Sequence, residues 1–131
     1  VLGDLRLLHA WTRATGDDTA LVFVEIENRG DAPVRLTGAE TRIAGRAELV
    51  GFRLADGEPG YEPLGALPIA PGTRMVLAPE GLALRLSGLA RPLAEGERFP
   101  LRIAFADAGV EVTVQVEAAN AIRHPHAGHA H

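Results

Sequence analysis

The sequence predicts an all-β fold, a Greek-key sandwich or barrel, and three observations carry that reading. Residues 110–117, Val-Glu-Val-Thr-Val-Gln-Val-Glu, alternate apolar and polar without a fault, the period of a strand with one dry face. Short runs of β-branched and apolar residues recur along the chain and are separated at most joints by Gly or Pro. Helical periodicity is poor throughout.

Each element follows from local pattern. Residues 5–9 form a first short run, and residues 21–27 are β-branched and aromatic enough for a core strand, ended by the turn residues Asn28-Arg29-Gly30-Asp31. Further runs lie at 34–37, 47–52, 75–77 and 82–86. The stretch 56–72 is dense in Gly and Pro and reads as a long loop with at most a short extended piece at Tyr61. Pro92 and Gly96 restrict the one candidate helical turn, near 89–95. Phe99, Leu101, Ile103 and Phe105 alternate like the strand after them, and Asp107-Ala108-Gly109 joins the two as a hairpin. Residues 118–131 lose all alternation, so the chain divides into a sandwich domain, 1–118, and a flexible His-rich tail, 119–131.

Composition narrows the function classes. A length of 131 residues with 47 % apolar types suits one domain. Net charge is −4, and the arginines are scattered among carboxylates, so the basic stripe of a nucleic-acid binder is missing. No apolar run approaches the roughly 20 residues of a membrane span. The opening Val-Leu-Gly-Asp has no secretory-signal pattern, which reads as a mature exported chain or a cytosolic one. There is no cysteine, so disulfides, redox pairs and thiolate metal sites are excluded. Enzyme chemistry has little support. Ser87 is the only serine and has no histidine near it in sequence, no phosphate loop follows a strand, and Asp17, Asp18 and Asp31 read as turn residues.

His9-Ala10-Trp11-Thr12-Arg13-Ala14-Thr15 ahead of the strand at 21–27, then Arg35-Leu36-Thr37-Gly38-Ala39, Ala44-Gly45-Arg46-Ala47-Glu48-Leu49, Ser87-Gly88-Leu89 and Pro92-Leu93, occur in the order and spacing of PCuAC-type copper chaperones. The chain resembles that family over roughly residues 5–117. The resemblance implies a cupredoxin-like Greek-key β-sandwich, a periplasmic location, and a role in copper homeostasis or in carrying copper to a periplasmic copper protein or cuproenzyme. The family's copper motif is His or Met, ten residues, Met, twenty-one residues, then His-x-Met. That spacing lands here on Val50, Tyr61, Ala83 and Arg85, none of which is a credible copper ligand. Strand alternation predicts Leu82, Leu84 and Leu86 toward the core and Ala83 with Arg85 outward. The guanidinium would then oppose a bound cation by about 4 kcal/mol per unit charge at 4 Å and an effective dielectric of 20. Met75, the only thioether, reads as core packing.

Histidine is the remaining ligand type. His124, His126, His129 and His131 form two i, i+2 pairs in the tail, and neutral imidazole favours Cu(II) over Cu(I). They are the candidate metal site, set against a solvated tail with incidental affinity. His9 reads as a partly buried, hydrogen-bonded side chain. Two functions result: a copper-homeostasis accessory protein whose family copper site is lost and whose tail binds Cu(II), or a non-metal protein-interaction module in which Val50, Tyr61, Ala83 and their apolar neighbours meet a partner.

Overall fold

A computed structural model describes residues 4–106 and 108–120. Ten strands occur among them: β1 (Leu5–Arg13), β2 (Thr19–Asn28), β3 (Val34–Glu40), β4 (Ala44–Ala55), β5 (Glu58–Pro63), β6 (Leu67–Ile69), β7 (Arg74–Val76), β8 (Leu82–Leu89), β9 (Arg98–Phe105) and β10 (Gly109–Glu117). They hydrogen-bond in the order β5-β4-β8-β2-β1-β10-β9-β3-β6, with β7 pairing on β2. All pairs are antiparallel except β1 with β10.

This ribbon of strands folds over on itself without closing, as the predicted all-β sandwich. Val22, Val24 and Ile26 of β2, Leu49 of β4 and Leu84 and Leu86 of β8 come from one half. They meet Leu36 of β3, Phe99, Leu101, Ile103 and Phe105 of β9, and Val114 and Val116 of β10 in one buried core. Burying one such side chain removes about 1.5–3 kcal/mol of apolar exposure, so the alternation in β9 and β10 dictates which face of that hairpin turns inward. Met75 packs partly buried against the same core, opposite Ile26.

Two expectations change. The stretch 56–72 is not one loop, because it holds β5 and β6. Asp56 and Gly57, at φ 56° and 80°, turn the chain back so that β5 pairs along β4 from Ala55–Glu58 to Val50–Pro63. Pro59 and Pro63, which argue against a central strand, are tolerated because β5 lies at the sheet edge and bonds on one side only. The candidate helical turn near 89–95 is also absent. That segment holds a single bridge, Leu93 with Thr15, and turns.

The first strand runs on through Arg13, with an irregularity. Leu8 pairs with Glu25 and Trp11 with Phe23, so His9 and Ala10 together face Val24, a β-bulge with His9 at φ 56°. The extra residue reverses the side-chain parity. Leu5 and Leu7 pack toward the main core before it, and Ala10 does so after it, which leaves Trp11 and Arg13 on the opposite face. His9 itself is exposed, correcting the partly buried reading, because the bulge swings its side chain out of the ladder.

Candidate functional site

The four positions picked out by the motif spacing do come together. Val50 of β4 stands directly across from Ala83 of β8, and Glu48 directly across from Arg85, so two cross-strand pairs share one face. Tyr61 reaches the same face from β5, opposite Phe52. Two residues on, Leu21 of β2 pairs with Arg85.

What fills this face corrects the outward placement of Ala83. Leu84 and Leu86 do point into the main core, and Ala83 does point away from it, but Ala83 is 0 % exposed. It lies in a second buried cluster with Val50 and Phe23, both 0 % exposed, and with Trp11 at 5 %. Leu21 and Tyr61 pack at its margin. The Trp11 and Phe23 rings meet at 4.8 Å between centroids with planes tilted 46°, and Phe52 and Tyr61 meet edge-on at 5.4 Å. The physical reason is volume. A methyl group at position 83 leaves space that the Phe23 and Trp11 rings occupy, and an interior packs to crystal-like density. The interaction surface expected at Val50 and Ala83 is therefore shut off from solvent.

Arg85 lies at the edge of this cluster. Its Nη2 donates to Glu48 Oε2 at 3.1 Å, with both side chains about a quarter exposed, and its Nη1 donates to the Tyr61 carbonyl at 3.4 Å. The Tyr61 hydroxyl accepts from the Glu80 N–H at 3.2 Å, which pins β5 to the turn before β8. On the other side of Leu21, the Arg13 guanidinium sits 5.8 Å from the Phe23 ring centroid.

The chemistry of this donor set is plain. Val50 and Ala83 offer no lone pair, the Tyr61 hydroxyl is engaged, and Arg85 carries a fixed positive charge. The residues do not fit a copper ion. Among the described residues there is no group of three or more His, Cys, Asp or Glu side chains able to hold a metal. The tail histidines His124, His126, His129 and His131 lie outside the described residues. No helix among the described residues is long and apolar enough to cross a membrane.

An open β-sandwich of this order is the architecture of PCuAC domains. The PCuAC domain of PmoF1, in its apo form, superposes with a TM-score of 0.73 at 25 % identity, over 88 % of this chain and 95 % of that one. The copper-bound PCuAC domain of PmoF2 gives 0.72 at 25 % identity, over 88 % and 94 %. The Cu(I) form of DR1885 from Deinococcus radiodurans gives 0.66 at 26 % identity, over 85 % and 76 %. The chain belongs to the LpqE-like lipoprotein family, which it matches over residues 5–118. A curated relative, the lipoprotein Lxx21020 of Leifsonia xyli, is 28 % identical over 99 residues, 75 % of this chain. The chain spans 60 % of that relative's length.

Sequence spacing picked out Val50, Tyr61, Ala83 and Arg85, which the fold brings together, but gave no place beside them to Trp11, Phe23 and Arg13. One signal was present: Leu21-Val22-Phe23-Val24 is apolar without alternation, the mark of a strand dry on both faces.

Proposed function

We propose that this chain is an exported accessory protein of copper homeostasis, built on a copper-chaperone sandwich whose own copper positions have been converted to packing. Its structural neighbours include PCuAC domains, one of them copper-bound, and the Cu(I) form of DR1885, which supports a chaperone-like role in copper handling. Membership of a lipoprotein family supports export, with the periplasm as the compartment proposed. The division is a sandwich domain over 1–118 and a tail over 119–131. Copper is the cargo, held as Cu(II) by His124, His126, His129 and His131, and a periplasmic copper protein or cuproenzyme is the proposed recipient. No enzymatic step is assigned to the chain.

One observation carries the claim that the sandwich site is lost: Val50 and Ala83 are wholly buried among Trp11 and Phe23, and Arg85 is tied to Glu48. The deciding experiment titrates the full chain and a form ending at Asn120 with Cu(I) and Cu(II) against a competing chelator. The full chain is expected to take up Cu(II) stoichiometrically and the shortened one neither ion, with identical circular dichroism. Stoichiometric copper on the shortened form would show a site on the sandwich and overturn the reading.

The interaction-module reading is favoured by one feature. The β4–β5 hairpin has an apolar face, Val50 with Pro63, Phe52 with Tyr61, Leu54 with Pro59, which runs from the buried cluster out to Leu54 at 64 % exposure. Failure of the full chain to bind either copper ion would put this reading first.

A further inference from the structure

Beside the converted locus lies a cleft of about 280 Å³, lined by Arg13, Ala14 and Thr15 at the end of β1, Thr19, Ala20 and Leu21 of β2, Arg85 of β8, and Ala119. Its charge is one-sided. Two guanidiniums line it and no carboxylate does, in a chain whose net charge is −4. Their placement follows from register. Leu21 pairs with Arg85, and Thr12 pairs with Val22, so Arg13 and Arg85 stand on strands either side of β2, about 10 Å apart at two strand spacings. The parity reversal at His9 and Ala10 is what brings Arg13 to this face.

Carboxylates stand outside the cleft lining, and one of them fixes Arg85. Glu48 holds Arg85 from β4, and Glu117 is the register partner of Arg13 on β10. A guanidinium has five N–H donors in a planar fork, and the bonds to Glu48 and to the Tyr61 carbonyl do not exhaust those of Arg85. Thr19 adds a hydroxyl, and Thr15 Oγ1, which accepts from the Asp17 N–H at 3.0 Å, keeps its own proton to donate. Ala14, Ala20, Leu21 and Ala119 supply an apolar floor. The volume sits at the small end of ligand cavities, roughly 300 Å³ and upward.

We propose that the Arg13–Arg85 cleft binds a small organic oxyanion, its carboxylate or phosphoryl head between the two guanidiniums and a short apolar body against Leu21 and the alanines. The inference goes beyond the reading above and does not depend on it, since copper is there assigned to the tail histidines and the anion here to the cleft. Where a copper chaperone would present groups for a cation, this chain presents groups for an anion.

The test follows amide resonances of the full chain by NMR during titration with hexanoate, hexyl phosphate and 1-hexanol. At least one of the two anions is expected to shift Ala14, Thr15, Thr19, Leu21 and Ala119 with saturation on the order of 1 mM or tighter, given the efficiency of small ligands. The neutral alcohol is expected to leave them unmoved. Hexanoate binding alone identifies a carboxylate ligand, and tighter hexyl phosphate binding identifies a phosphoryl one. Arg85→Gln and Arg13→Gln should each weaken binding at least about tenfold, the scale of one charge-assisted contact. If Arg85→Gln loses its fold, Arg13→Gln and Arg85→Lys carry the comparison, the lysine retaining charge but not the fork. No saturable shift by about 20 mM anion, equal binding of 1-hexanol, or arginine variants that bind like the parent chain would each overturn the proposal. Copper titrated into the same sample tests the other reading separately. Copper shifts at Val50 and Ala83 would refute the lost site while leaving the anion isotherm intact.

Discussion

His9 does more to shape the site than any residue in it. A β-branched or otherwise bulky residue is a poor occupant of φ 56°, yet this backbone value is what doubles His9 and Ala10 against Val24 and reverses the parity of β1. Two substitutions separate conformation from side-chain chemistry. His9→Gly removes the left-handed penalty and should hold stability level or raise it. His9→Val should lower it by about 1–3 kcal/mol and, by straightening the bulge, disturb the Trp11–Phe23 contact. Urea unfolding gives the first quantity and tryptophan fluorescence the second. A His9→Val protein as stable as the parent, with unchanged emission, would show that the bulge is not set by residue 9. The local pattern gives only a break in alternation, since Leu5-Arg6-Leu7 is followed by apolar Leu8 and polar His9, and such a break does not by itself specify a bulge. The bulge lets Leu5 and Leu7 before it and Ala10 after it all pack against the main core, an odd spacing that a regular strand cannot place on one face.

At the level of strands, β7 shows how a three-residue element is kept in place. Arg74 donates to Glu25 at 3.2 Å and also to Glu27, a fork from β7 across two carboxylates of β2. The hydrogen bond from Arg74 holds the Glu27 carboxyl below the usual carboxylate range. Desolvation opposes that shift, while the charges of Arg74, Arg6 and Arg29 add to it. A carboxyl with a folded-state pKa below its unfolded value adds stability that is present above the unfolded pKa. That stability is lost as pH falls through the folded one. The group is partly exposed and screened, so the contribution is small. In Arg74→Ala the Glu27 titration, followed by carboxyl NMR, should move up toward the ordinary glutamate value, and an unmoved midpoint would assign the shift to other charges.

Strand pattern made most elements legible before coordinates: β2, β4, β8, β9 and β10 all extend runs seen in the sequence, and the β9 and β10 faces fall as alternation requires. Loss came where the cause is tertiary. β5 was obscured by Pro59 and Pro63, whose tolerance depends on lying at an edge, and β6 is only three residues long. The burial of Ala83 depends on rings brought from β1 and β2, which no local reading of β8 contains.

For the molecule as a whole, Asn28 is the cross-brace. It is 2 % exposed, and its Nδ2 donates to the Ala32 carbonyl at 2.9 Å and to the Ile69 carbonyl at 3.0 Å, while its Oδ1 accepts from Gly30 N–H at 3.1 Å. The end of β2 is thereby fixed to β6, which belongs to the opposite half of the sandwich. Asn28→Ala leaves the buried Ile69 carbonyl, and the part-buried Ala32 carbonyl and Gly30 N–H, short of a partner and should cost about 1–3 kcal/mol, read as a lowered urea midpoint. Asn28→Asp keeps the acceptor but not the amide donors and should recover little of it. An alanine variant as stable as the parent would mean that water replaces these bonds without loss.

The parallel pairing of β1 with β10 sets Arg13 beside Glu117, so both strands finish at the same pole of the sandwich. Leu5 stands at the other pole, about 25 Å away along a nine-residue strand. A lipid tether upstream of residue 5, as a lipoprotein carries, would draw the Leu5 pole toward the bilayer. The arginine cleft, at the Arg13 end of that strand, would then face away from the membrane.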